Sequence, residues 1–220
     1  MLQPSTLSFL KNLKKNNNKP WFDSNRKIYD AAKSDFISLV DELIEGITQF
    51  DASLTGLTAK NCIFRINKDV RFSKDKSPYK TNMGASFTAG GKKISAAGYY
   101  FHLEPVQSFI AGGFYMPMPP QLASIRQEID YNFEEWNSII SKKSFKKIFT
   151  NGVEGVSSLA RPPKGYDANN PAIDFLKMKG FIVSAPLSDK ELSDKGLKKK
   201  VIQVFKEMKP MIDFLNRAVE

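Results

Sequence analysis

Residues 82–103 read Asn-Met-Gly-Ala-Ser-Phe-Thr-Ala-Gly-Gly-Lys-Lys-Ile-Ser-Ala-Ala-Gly-Tyr-Tyr-Phe-His-Leu, and this stretch decides the fold. Gly90-Gly91-Lys92-Lys93 separates two extended segments, 82–89 and 94–103, so the pair reads as a β-hairpin. Residues 107–115 add a third strand, with Gly112-Gly113 as a bulge or a place of close backbone approach. Upstream, Cys62 to Phe72 has period two. Cys62, Phe64, Ile66, Lys68, Val70 and Phe72 alternate with Ile63, Arg65, Asn67, Asp69 and Arg71, which predicts a half-buried strand or two short ones with a turn near Asn67. Strands joined by short turns favour an antiparallel sheet.

Helical periods flank this block on both sides. Residues 5–15 predict a short helix capped by Ser5, with Leu7, Leu10 and Leu13 on one face. Residues 23–49 predict a long helix with Asp23 as N-cap and an apolar stripe of Ile28, Ala32, Phe36, Leu39, Leu43 and Ile47. Pro119-Pro120 opens helical turns that extend to about Phe149. The paired prolines exclude regular structure at 160–166. A short helix after Asn170-Pro171 and a strand at 181–186 follow, then a last amphipathic helix at 195–219 that Pro210 should kink. The expected fold is one α+β domain over 1–220, a mostly antiparallel central sheet with N- and C-terminal helices packed on it.

Composition closes off several functions. One cysteine, Cys62, excludes an internal disulfide framework and CxxC sites, and one histidine, His102, excludes multi-histidine metal centres. No targeting segment and no membrane span is read, so a reducing cytoplasm is the expected compartment. The net charge is +10, and the surplus comes mainly from 61–80 and 141–180. Basic stretches of this kind attract phosphates or a nucleic-acid backbone if they share a surface. Lys142, Lys143, Lys146, Lys147 and Lys198 to Lys200 also fit the solvent face of a helix.

The chemistry-bearing segment is 65–80: Arg-Ile-Asn-Lys-Asp-Val-Arg-Phe-Ser-Lys-Asp-Lys-Ser-Pro-Tyr-Lys. In extended chain, Arg65, Asn67, Asp69 and Arg71 project from one face. Two guanidiniums beside one carboxylate can share it and still fork onto an external anion. The run Arg65…Lys68-Asp69-Val70-Arg71-Phe72…Asp75-Lys76…Tyr79 resembles the signature of a bacterial and fungal family of conserved hypothetical proteins, domain of unknown function 2461. The resemblance covers nearly the whole chain. It takes in Asn18 to Phe22, Gly98 to Pro105 and Arg161 to Tyr166. The family pattern has arginine where this chain has Lys68, which keeps the charge and loses the bidentate fork. The resemblance implies a size and a motif, with no particular activity, cofactor or partner.

Three functions follow from these residues. The leading one is a binding protein for a phosphate-bearing or other anionic partner, a small molecule or a nucleic-acid backbone. Arg65, Lys68, Arg71, Lys76 and Lys80 would contact the anion, Tyr79 would add a hydroxyl, Asp69 would orient the arginines, and Arg161 and Lys164 would form a rim. The second is a phosphohydrolase or nuclease. Here Asp69, Asp75, His102 and Glu104 hold a divalent cation, the only cofactor this reading admits, or perform acid–base work. His102 and Glu104 share a strand face with Tyr100, which is what brings them into consideration. The third is a protein-interaction module in which the Arg65–Asp69–Arg71 set is a structural ion-pair brace. Ser73-x-x-Lys76 matches a serine acyl-enzyme pattern, but it sits in a loop and its companion motifs are absent.

Overall fold

Asn25 divides what the sequence periodicity reads as one helix. The computed structural model describes residues 1–220, and its first elements are α1 (Pro4–Lys15), α2 (Lys19–Ser24) and α3 (Arg26–Thr48). Asn18 starts α2 by accepting the Trp21 N–H at 3.0 Å, and Pro20 has its φ already set for a first turn. Asn25 ends it, donating its side-chain amide to the Trp21 carbonyl at 2.8 Å. A one-residue break leaves apolar spacing almost intact, so periodicity alone does not register it. It does rotate the start of the stripe: Tyr29 is buried, while Ile28 is half exposed. The cap of α1 also differs from expectation. Gln3 occupies the position without a side-chain bond, and Pro4, not Ser5, opens the helix.

The chain continues through a 3-10 turn at Ala52–Leu54, α4 (Ala59–Cys62), β1 (Met83–Phe87), β2 (Gly98–Leu103) and β3 (Ser108–Phe114). Then come α5 (Pro119–Tyr131), α6 (Phe133–Ile140), α7 (Lys143–Ile148), α8 (Ile173–Leu176), β4 (Phe181–Leu187), α9 (Asp189–Leu192) and α10 (Leu197–Arg217). The strands form one antiparallel sheet in the order β1-β2-β3-β4, so the fold is α+β. Pro119 and Pro120 open α5, as their fixed φ favours, and Pro210 lies inside α10. Helix α9 has a reciprocal cap: Ser188 and Glu191 each accept from the other's backbone N–H.

Two compact units make up the chain. The first comprises residues 1–92, 100–110 and 186–202; the second comprises 93–99, 111–185 and 203–220. In the first, Phe9, Leu10 and Leu13 of α1 are buried, as are Phe36, Val40, Leu43 and Ile47 of α3. In the second, Trp136 is fully buried and meets Phe175, Phe181 and Phe214 with centroids at 5.6, 6.2 and 5.1 Å. Arg217 at the end of α10 is clamped by Glu128 and Glu135, at 2.8 and 2.7 Å.

The expected strand at 62–72 does not form. Cys62 ends α4, and only two isolated antiparallel bridges remain, Ile63 with Ala85 and Asn67 with Tyr79. Four positions separate Ile63 from Asn67, but six separate Tyr79 from Ala85. The surplus residues between Tyr79 and Ala85 bulge out of the ladder, and a bulge ends regular pairing and re-aims its side chains. Beyond Asn67 the alternation fails outright: Phe72, expected on the covered face, is 96% exposed.

Candidate functional site

The bulge builds the site. Phe64 N–H donates to the Gly84 carbonyl at 3.0 Å, Lys80 N–H to the Ile66 carbonyl at 2.8 Å, and Lys68 N–H to the Pro78 carbonyl at 2.9 Å. Arg65 is thereby held opposite the segment that carries Lys80 and Asn82. A cavity of about 280 Å³ opens there, lined by Phe64, Arg65, Lys80, Asn82, Gly84 and Tyr100. Gly84 leaves room for the Tyr100 ring: a Cβ at that position would lie 2.5 Å from Tyr100 Oη.

The segment is pinned from outside by Asn17. Its side-chain amide donates to the Tyr79 carbonyl at 2.9 Å and its side-chain oxygen accepts the Tyr79 N–H at 3.1 Å. The Tyr79 ring is buried and stacks on Phe22 at 4.0 Å. Tyr79 is therefore a packing residue here, placed by the Asn18–Phe22 stretch. Asn17→Ala removes both bonds from a part-buried pair, and each is worth about 1 kcal/mol. A loss of about 1–3 kcal/mol in urea denaturation is expected.

Behind the cavity runs a chain of polar groups on the β2 face. Tyr100 Oη lies 3.0 Å from His102 Nδ1, and His102 Nε2 lies 3.4 Å from Glu104 Oε2 and 3.3 Å from Asn82 Nδ2. Thr81 donates to Glu104 Oε1 at 3.0 Å, and Lys14 Nζ stands 3.5 Å from the same oxygen. A carboxylate only accepts, so Glu104 favours the proton on Nε2, leaving Nδ1 to accept from Tyr100. A half-turn of the Asn82 amide presents its oxygen to the same proton. The His102 ring stacks on Phe109 at 4.5 Å and is 9% exposed. Burial holds its pKa below the ordinary 6.5, against the upward pull of Glu104.

That shift has a pH consequence. As pH falls through 6.5, the unfolded chain takes up the histidine proton before the folded one does. The stabilisation from neutral His102 is therefore complete above that pH and is lost as pH drops toward the folded pKa. His102 is the only histidine. Chemical denaturation from pH 7.5 to 5 is expected to show a declining limb that is flattened in His102→Gln.

Arg71 forks onto Asp69 at 3.0 and 2.8 Å, and that hydrogen-bonded pairing lowers the Asp69 pKa and raises that of Arg71. Lys68 pairs with Asp75, which lies well below the usual carboxylate range because of that bond and two from Ser77. Lys76 donates to the Val70 carbonyl at 3.0 Å. The outer loop thus satisfies itself. Asp69 and Asp75 are engaged there, while His102 and Glu104 face each other on the sheet, and no group of three or more His, Cys, Asp and Glu side chains is placed to hold a metal ion. Arg161 and Lys164 are exposed on an irregular loop of the second unit, whereas 65–80 belongs to the first. Cys62 is buried, which pushes its thiol up to about 11.

Arg65 and Lys80 differ from Lys68 and Arg71, since neither makes an ion pair with a carboxylate, and unlike Lys74 and Lys76, which make none either, both line the cavity. Lys80 stands over the Phe64 ring at 5.6 Å, and burial followed by the charge of Arg65 lowers its pKa. Asn82 and Tyr100 complete the wall. The residue alternation of 98–104 placed Tyr100 on the face of His102, but Asn82 had no signal of its own, because the bulge that turns it inward is a tertiary feature.

Fold and site together define a class: an α+β protein whose sheet is flanked at its β1 edge by a bulged basic segment. The chain belongs to the conserved hypothetical protein family DUF2461, whose model matches residues 5–214. No curated protein and no solved structure matches it. No helix is long and apolar enough to cross a membrane.

Proposed function

We propose that this protein binds a phosphate-bearing or similar oxyanion in the cavity between Arg65 and Lys80. The observation that carries the reading is the pairing of two like charges without a carboxylate between them. Lys80 is partly withdrawn from water beside a guanidinium, and its lowered pKa expresses the cost of that placement. An anion bridging the two cations relieves the cost and supplies acceptors for the Arg65 fork. Asn82 Nδ2 offers a further donor. The His102–Glu104 chain orients the Tyr100 hydroxyl at the cavity wall.

A small anion accounts for the site better than a polymer backbone does, because side chains of three segments, Phe64 and Arg65, Lys80 and Asn82, and Tyr100, line a cavity of only about 280 Å³. The test is thermal stability against inorganic phosphate at two salt concentrations. Phosphate at about 100 times its dissociation constant should add roughly 2.7 kcal/mol. A nucleic-acid backbone as ligand would instead show a steep loss of affinity with salt, one step per phosphate contacted. No stabilisation by phosphate up to high millimolar concentration would overturn the proposal.

A further inference from the structure

We infer that the site is catalytic as well as binding: Tyr100 takes the phosphoryl group of a phosphate monoester onto its hydroxyl, and water then releases it. The inference rests on the anion-site reading and adds a reaction to it. Its basis is the placement of the Tyr100 hydroxyl. Tyr100 shares the cavity wall with Arg65, Lys80 and Asn82, and glycine at position 84 is what leaves its hydroxyl room. That hydroxyl also heads a chain of three groups. Tyr100 Oη is 3.0 Å from His102 Nδ1, and His102 Nε2 is 3.4 Å from Glu104 Oε2. Hydroxyl, imidazole and carboxylate in that order are the parts of an activated nucleophile. The imidazole takes the hydroxyl proton, and the carboxylate fixes the tautomer and steadies the imidazolium that forms. Glu104 is itself held by the Thr81 hydroxyl at 3.0 Å, and the His102 ring is buried against Phe109, so the chain keeps its aim on Tyr100.

Charge selects the substrate. Arg65 and Lys80 both line the cavity. Their two positive charges match the two negative charges of a monoester, whereas a diester carries only one. An Arg/Lys clamp of this kind stabilises the oxygens of a phosphoryl group in transfer. In the first step Tyr100 Oη bonds to phosphorus as the bond from phosphorus to the alcohol oxygen breaks. The electron pair of that bond leaves with the alcohol, the phenolic proton passes to His102 Nδ1, and the departing oxygen takes a proton from the Lys80 ammonium. Burial and the neighbouring guanidinium lower the Lys80 pKa, which makes it a readier donor. In the second step a water oxygen bonds to phosphorus and the bond to Tyr100 breaks. Its electron pair returns to Oη, His102 gives the proton back, and Lys80 recovers its own from the water. Monoester and water become alcohol and phosphate, and the protein ends unchanged.

Incubation with 4-nitrophenyl phosphate tests this. Nitrophenolate leaves without needing a proton, so the first step outruns the second and phosphotyrosine accumulates. The wild type should release nitrophenolate catalytically, and rapid acid quenching followed by mass spectrometry should find one added HPO3 on the peptide that carries Tyr100. Tyr100→Phe should lose both release and adduct while phosphate still raises its melting temperature, because Arg65 and Lys80 remain. His102→Gln should slow release at pH 7 by roughly a hundredfold to ten-thousandfold, the usual contribution of a general base. Its rate should then climb as pH approaches the ordinary phenol pKa of about 10, where no base is needed. A histidine with a merely structural role would not give that climb. An adduct that is lost in acid marks a phosphohistidine and overturns the nucleophile. Release that survives Tyr100→Phe, or release with no adduct, overturns it too. If phosphate stabilises the wild type and Arg65→Met abolishes that effect, but 4-nitrophenyl phosphate is not cleaved and leaves no adduct, the reaction is wrong and the anion site stands. If phosphate gives no stabilisation and nothing turns over, the anion site itself is wrong.

Discussion

Arg65→Met is expected to remove stabilisation by phosphate while leaving the fold almost untouched. The guanidinium is exposed and makes no ion pair, so its loss deprives no buried carboxylate of a partner. Surface substitutions away from such partners change stability by about 0.5 kcal/mol or less. Binding is another matter. A bidentate, charge-assisted contact to an oxyanion is worth about 1.5–3 kcal/mol, so affinity should fall by roughly tenfold to more than a hundredfold. Methionine keeps the apolar stem at the cavity wall, which isolates the loss of the fork from the loss of packing. The pKa of Lys80 should move up toward its ordinary value in the variant, though burial, the larger cause of its depression, stays. The brace reading makes the opposite claim. A melting temperature that drops steeply in Arg65→Met, with the phosphate response intact, would favour it. Arg71→Met serves as the control within the motif: Arg71 is engaged by Asp69 on an exposed loop, so its removal should cost little affinity.

The contrast between those two arginines shows what the sequence could convey. Composition and spacing single out 65–80 but do not distinguish its cations from one another. Which of them is free depends on local loop pairing: Arg71 with Asp69, Lys68 with Asp75, Lys76 with a carbonyl. It also depends on the bulge between Tyr79 and Ala85, which aims Lys80 and Asn82 toward Arg65. Period-two alternation describes a strand with an unbroken partner, and a two-residue change of register defeats it. The hairpin, the Pro119-Pro120 helix start and the long last helix were legible because each depends on local turn chemistry or on a sustained apolar period. The break at Asn25 and the packing role of Tyr79 were not. The first is a single residue inside an otherwise continuous stripe, and the second is set by Asn17 and Phe22, far away in the chain.

Gly113→Ala is expected to cause the largest loss of stability of any single-methyl addition in the sheet. Gly113 has φ +119°, a conformation that L residues rarely adopt. An added Cβ would fall well inside contact distance of the Phe181 carbonyl oxygen, and 3.1 Å from the Ile182 Cα. Both obstacles are backbone, so no rotamer change clears them. Backbone strain of about 1–3 kcal/mol adds to overpacking of similar size, for a total of about 2–6 kcal/mol. In a chain of this length each kcal/mol moves the melting temperature by roughly 2–4 °C, so a drop of roughly 4–24 °C should be seen by calorimetry. Gly112 supplies the comparison. A Cβ there would meet Met208 Sδ at 2.5 Å, the flexible end of a side chain that can swing aside, although the Gly98 carbonyl oxygen stands 3.2 Å away. Gly112→Ala should therefore cost clearly less than Gly113→Ala. Equal losses at the two positions would mean that side-chain crowding, and not the left-handed backbone against Phe181, is what requires glycine here. A Gly113→Ala protein as stable as the wild type would contradict the close β3–β4 approach itself.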